Sequence, residues 1–234
     1  MRFKVLAVLA AATVPLAATA LPAQAAPQAK LIHVHVFKTH GKPQPTTANC
    51  TNSGATTASS YVFTGWKVAG ATTARLNTAT VPSYLGSTTL SSMQAGFDAW
   101  SQADAAVPKV NVVTGGTVTK PTANGSYDLM FGRTNGNSLA VTYTWRWSDG
   151  RVESDTIFGT GVTWFEASSE GDGCYESVPR YDVRNIATHE FGHTYGMDHP
   201  SGARFETMYA YGYSGETGKW SLGAGDTAGV RALY

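Results

Sequence analysis

Apolar positions along the chain change texture several times. Val5 to Leu21 is an apolar run broken only by two threonines and Pro15. Leu31-Ile32-His33-Val34-His35-Val36-Phe37 alternates with the period of a strand, inside a stretch to about Ser60 that is otherwise rich in Thr, Ser and Pro. That stretch reads as a linker or loosely packed extension. From Tyr61 onward, residues 67–76, 109–113, 127–131, 139–147 and 151–158 read as strands, the last two joined by the turn signal Ser148-Asp149-Gly150. Between the first two, Leu90, Met93, Phe97 and Trp100 recur at three- and four-residue spacing and predict an amphipathic helix over 89–103. A second helix is predicted over 180–195, with Pro179 near its start, Asp182 in its first turn and Gly196 just past its end. A last helix follows Asp226 and runs to Tyr234. Strands, one helix among them, then helices make an α+β layout.

The start of the chain reads as an export signal. Arg2 and Lys4 precede the apolar run, and Ala23-Gln24-Ala25 supplies the small-x-small pattern of a cleavage site. A membrane anchor is the competing reading, but the run is too short and carries a proline in its middle. The expected organisation is therefore a secretory signal at 1–25, an extension at 26–60 and a folded domain at 61–234, with the mature protein extracellular and without a membrane span.

Composition narrows the function classes. The chain has 234 residues, 42% apolar and 14% charged, enough for one good core. Its 17 Lys and Arg against 16 Asp and Glu give no strong basic field, which argues against nucleic acid as a partner. Two cysteines exclude a Cys-rich zinc module and a dense disulfide scaffold. In an oxidising compartment Cys50 and Cys174 are expected to pair, two unrelated thiols being the alternative.

The chemistry sits in His189-Glu190-Phe191-Gly192-His193-Thr194-Tyr195-Gly196-Met197-Asp198-His199. On a helix, residues four apart lie one turn above each other, so His189 and His193 can aim ring nitrogens at one ion. A third ligand cannot come from the next turn at the right angle. The chain must stop spiralling, and Gly196 can adopt the left-handed conformation that does so, letting His199 arrive from a new direction. Three neutral imidazoles leave one tetrahedral zinc position open to water, as in a catalytic site. Glu190, one step round from His189, is placed to act as general base on a zinc-activated water and later as general acid. Surface or core histidines on an ordinary helix are the bland reading. In a chain with six histidines, this many residue types at fixed spacing outweigh it.

The same segment resembles the zinc signature of the metzincin metallopeptidases, and Met208 resembles their Met-turn. The closer likeness is to the matrixins. Glu206-Thr207-Met208-Tyr209 is similar to their Leu-Met-Tyr-Pro turn, with Ala210 in place of the proline, and residues 222–234 are similar to their closing helix. The likeness covers about 61–234. It implies a metzincin-like α+β fold, a twisted mixed sheet with two long helices and a C-terminal helix. It also implies one catalytic zinc on His189, His193 and His199, an apolar floor from Met208, and a peptide substrate added as a strand along a sheet edge.

Departures from the family are visible too. No histidine lies between His40 and His189 to hold a second, structural zinc, no Pro-Arg-Cys-Gly segment is present, and Gly225 stands where a pair of aspartates begins. Astacins and serralysins place a tyrosine two residues after the methionine; here that position is Ala210.

Weaker signals remain. His33, His35 and His40 could hold a metal, the bland reading being an exposed polar face. Asp155, Glu170 and Asp172 are oxygen donors near the region where matrixins hold a structural calcium. Tyr143, Trp145, Trp147 and Trp164 could line a substrate surface or simply pack. The expectation is a secreted zinc endopeptidase, a monomer acting on protein or peptide. Its rivals are a secreted binding protein that keeps the fold without turnover and a narrow-specificity hydrolase of cell-wall peptides.

Overall fold

The structure, a computed structural model, describes residues 25–40, 60–136, 138–171 and 179–234. The expected signal, apart from Ala25, lies outside the described residues, as do Cys50, Cys174 and Asp172.

Seven strands form one mixed sheet: β1 (Ala29–Thr39), β2 (Thr72–Leu76), β3 (Val110–Thr114), β4 (Tyr127–Gly132), β5 (Ser138–Trp147), β6 (Val152–Gly159) and β7 (Tyr211–Gly212). Their order across the sheet is β7-β1-β5-β6-β4-β2-β3. The pairs β2–β3, β2–β4 and β4–β6 are parallel, β5 runs antiparallel to β6, and β1 runs antiparallel to β5 and parallel to β7. One face of the sheet carries two helices, α1 (Thr89–Ser101) and α2 (Val183–Tyr195), and α3 (Ala224–Leu233) closes the chain. This is the α+β arrangement that the periodicities predict.

The α1–α2 contact carries the core. Phe97 stacks on Phe191 with ring centroids 3.7 Å apart, and the Trp100 indole N–H donates to the Thr188 carbonyl at 2.7 Å. Both aromatics of α1 are fully buried, and burying a side chain of this size contributes about 1.5–3 kcal/mol. Gly96 and Gly192 let the helices approach. A Cβ on Gly96 would sit 3.1 Å from the Phe191 ring, and one on Gly192 would meet the Met208 sulfur and lie 2.5 Å from Trp100 Cζ2.

Helix ends follow the sequence signals. The Asp182 carboxylate accepts from the Asn185 amide at 2.8 Å, so this residue caps α2 from just outside it rather than sitting in its first turn. Gly196 ends the helix in the left-handed region at φ 101°, with the Trp66 carbonyl occupying the space a side chain would need.

Two segments depart from expectation. The strand predicted over 67–76 forms only from Thr72. The Val68 amide is instead taken by the Tyr234 hydroxyl at 2.9 Å, and the Trp66 indole donates to the His193 carbonyl at 3.2 Å. These bonds strap residues 66–68 to the ends of α2 and α3 rather than to a sheet. The alternating run at 31–37 is the centre of an 11-residue strand. It lies before the boundary drawn at Tyr61, yet it pairs along nearly the whole of β5, from Ala29 opposite Trp147 to Lys38 opposite Ser138. Among the aromatics, Trp164 is core and Trp145 is buried, which is packing; Tyr143 stacks on Trp145.

Gly192→Ala is expected to lower stability by about 1–3 kcal/mol in a denaturant melt through overpacking. It does so although alanine favours a helix by about 1 kcal/mol over glycine. An unchanged midpoint would contradict the contact described for Gly192. Asp155 gives a second test. Its fully buried carboxyl accepts from the Thr122 and Asp128 amides, and burial pushes it up to about 7. A folded-state value above the unfolded one means that the native state holds the extra proton. Stability should therefore fall as pH rises from about 4 to about 7 and level off above. Asp155→Asn should flatten that slope.

Candidate metal centre

α2 is buried from Asn185 to Tyr195, and its two histidines face one spot. His189 and His193 stand one turn apart, and the left-handed turn at Gly196 brings His199 back over them. His199 Nε2 lies 3.0 Å from His189 Nε2 and 3.1 Å from His193 Nε2. On the far side of two rings the backbone sets the tautomer. His189 Nδ1 is 2.7 Å from the Thr207 carbonyl and His193 Nδ1 is 2.8 Å from the Met197 carbonyl. A carbonyl can only accept, so each Nδ1 carries the proton and each Nε2 presents a lone pair inward. Burial pushes the pKa of His189 and His193 well down and that of His199 down to about 4, which keeps all three rings neutral. Lone pairs held this close repel unless a cation lies between them. The group is compatible with a zinc site.

Glu190 lies beside the cluster and has no exposed surface. Thr142 of β5 donates from Oγ1 to Glu190 Oε2 at 2.5 Å, and Thr156 of β6 is 2.9 Å from Thr142 Oγ1. Since the Thr142 hydrogen points to the carboxylate, the Thr156 hydroxyl donates to Thr142. Glu190 Oε1 is buried with no hydrogen-bond partner among the described residues. Burial pushes this carboxyl up to about 8, with the Thr142 bond opposing it.

Met208 is fully buried, and its sulfur packs at Gly192, between the two histidine turns of α2. The loop before it is fixed by carboxylates. Asp226 accepts from the amides of Thr207 and Met208, and Glu206 accepts from those of Gly225 and Asp226. A side chain at position 225 would strike Glu206, so the glycine that departs from the family pattern makes room for that residue.

The three histidines predicted from the zinc motif therefore converge, Glu190 follows His189 on the same buried helix, and Met208 packs against that helix. The other metal expectations fare differently. His35 is buried rather than part of an exposed face. It stacks between His33 and His193, and with His33 and Asp198, the latter 3.5 Å away, it forms a second group that could hold a metal ion; Asp198 takes the place expected of His40, which stacks on Tyr213. A structural calcium is not supported. Asp155 is taken up by backbone amides and Glu170 by Ser221, and neither joins a group of three metal ligands among the described residues. Thr142, Thr156 and Phe37 were not singled out as site residues by sequence, and His35 only as a possible ligand of a separate metal. Alternation marks the faces of strands, but not what lies across from them.

Residues 124–234 match the family model of the matrixins, a peptidase family. The chain is matrixin-like. It is also similar to a protein named hatching enzyme from Paracentrotus lividus, 35% identical over 80 residues. That match takes in 34% of this chain and 12% of the relative, so the chain spans only a small part of that protein's length. No helix among the described residues is long and apolar enough to cross a membrane.

Zinc added to chelator-treated protein is expected to raise its melting temperature. The stabilisation grows with the logarithm of free zinc, reaching about 4 kcal/mol at a thousand times the dissociation constant. His193→Ala should abolish the shift. A shift of the same size in that variant would place the ion elsewhere.

Proposed function

We propose that this protein is a secreted zinc-dependent endopeptidase, exported by a cleaved signal at 1–25, with residues 61–234 in its catalytic domain. The observation that carries the reading is the convergence of three neutral imidazole lone pairs beside an oriented, buried carboxylate in a matrixin-like chain. His189, His193 and His199 are the residues that would hold the ion. When bound there, zinc supplies Lewis acidity, which polarises a scissile carbonyl and makes water a stronger acid.

The chain's own residues do the rest. Thr142 pins one oxygen of Glu190 and leaves Oε1 free to accept a proton from the attacking water. The same oxygen can then hand the proton to the departing amine. The Thr207 and Met197 carbonyls keep the rings of His189 and His193 in the required tautomer. Met208 supports α2 from below with an apolar, adaptable surface.

Glu190→Ala should retain zinc and lose activity by about 10²–10⁴-fold toward an unfolded protein substrate, the range for removing a general base. His193→Ala should lose both zinc and activity. Chelator should abolish wild-type cleavage, and zinc should restore it. Wild-type turnover by Glu190→Ala would rule out the role given to that carboxylate. Zinc bound without cleavage of any protein or peptide, with residues 29–39 released as well as in place, would favour a binding protein that has kept the fold.

A further inference from the structure

β1 does not behave as a core strand. Of its 11 residues only His35 and Phe37 are buried, and both are buried against the metal centre. The Phe37 ring stacks on His189 with centroids 3.8 Å apart and planes 11° from parallel. The His35 ring stacks on His193 at 3.8 Å and 12°. Val36 lies between them, so the main chain at this point runs past the three histidines. The rest of the strand is held by its backbone, antiparallel to β5 on one side and parallel to β7 on the other. The Lys38 and His40 amides donate to the carbonyls of Ala210 and Gly212. Two buried side chains and a ladder on either side describe a bound peptide better than a strand of the core.

The seat of Phe37 is shaped for a ring. Gly212 leaves the space open, since a Cβ there would lie 2.8 Å from Leu139 and 3.0 Å from Phe37 Cζ. The Lys219 ammonium stands 5.8 Å from the Phe37 centroid. His35 has one acidic partner there, the Asp198 carboxylate 3.5 Å from its Nε2. With β1 in place, His189, His193 and Glu190 have no exposed surface, so no substrate can reach them.

We propose that β1 is the protein's own blocking peptide, seated as a substrate in the groove between β5 and β7. Phe37 occupies the pocket that selects a large aromatic side chain, and substrates enter only when β1 leaves. This rests on the endopeptidase reading above. It requires no bond to be broken: the block is occupancy.

The test uses the full chain with a specific protease site inserted between His40 and Ser60, so that β1 can be released by nicking. A synthetic peptide of residues 29–39 should rebind the nicked, β1-free protein, and its Phe37→Ala version should bind at least about ten-fold more weakly, as expected for an anchoring aromatic. Chelator-sensitive cleavage of a quenched peptide should rise at least about ten-fold on release and fall again when the 29–39 peptide is added back. A quenched peptide carrying Phe at the selected position should be preferred over one carrying Asp, and Gly212→Val should erase that preference. Phe37→Asp in the un-nicked chain should raise cleavage without nicking. Equal cleavage before and after release, or rebinding indifferent to Phe37→Ala, would overturn the proposal and leave the endopeptidase reading standing. Tight, Phe37-dependent rebinding with no cleavage would support β1 as the occupant of the groove and overturn the endopeptidase reading instead.

Discussion

His189 and His193 point inward lone pairs at His199 Nε2, 3.0 and 3.1 Å away, and nitrogens held this close in a largely buried place repel one another. Nothing in that cluster is stable by itself, and much of the fold is arranged to hold it together. α2 supplies two rings at the spacing of one turn, and the left-handed Gly196 brings the third. The Thr207 and Met197 carbonyls fix the proton on the outer nitrogen of two rings. The Trp66 indole holds the last turn of α2 through the His193 carbonyl, and α1 braces the opposite side through Phe97 and Trp100. Neutral imidazoles held ready in this way are the kind of donor set that suits a divalent cation.

The loop carrying Thr207 and Met208 has to be as firmly placed as the helix, since it sets one of those tautomers. Its fixing is electrostatic. Asp226 and Glu206 form a buried acid pair at the start of α3, accepting between them the amides of Thr207, Met208, Gly223, Gly225 and Asp226. Burial and the neighbouring Glu206 push the Asp226 carboxyl up, so the pair retains a proton more readily than ordinary carboxylates. A helix N-terminus is a favourable site for such charge, and α3 thereby locks a loop on which the metal centre depends.

Much of this was legible in the sequence because local rules are strong where the chain is regular. The spacing of Leu90, Met93, Phe97 and Trp100 gave α1, and the zinc motif gave both the helix and the turn that ends it. What was not legible depends on partners far along the chain. Val68 looked like part of a strand because nothing local says that Tyr234 will take its amide. Glu206, beside the methionine turn, has no pattern that marks it as buried. The alternation at 31–37 marked a strand, but not that its two inward residues would meet the metal centre. Thr142 had a face and no visible partner.

The hydroxyl relay from Thr156 through Thr142 to Glu190 crosses two antiparallel strands, and it exists only in one register. Because successive side chains point to opposite faces, a slip of a single residue between β5 and β6 would turn one of the two hydroxyls away from the other. The hairpin at 148–150, with Gly150 in the left-handed region, sets that register. The aim of a buried carboxylate on a helix is thus decided in part by a solvent-exposed turn at the far end of a ribbon. A lesion there would leave every ligand in place and still misdirect the proton.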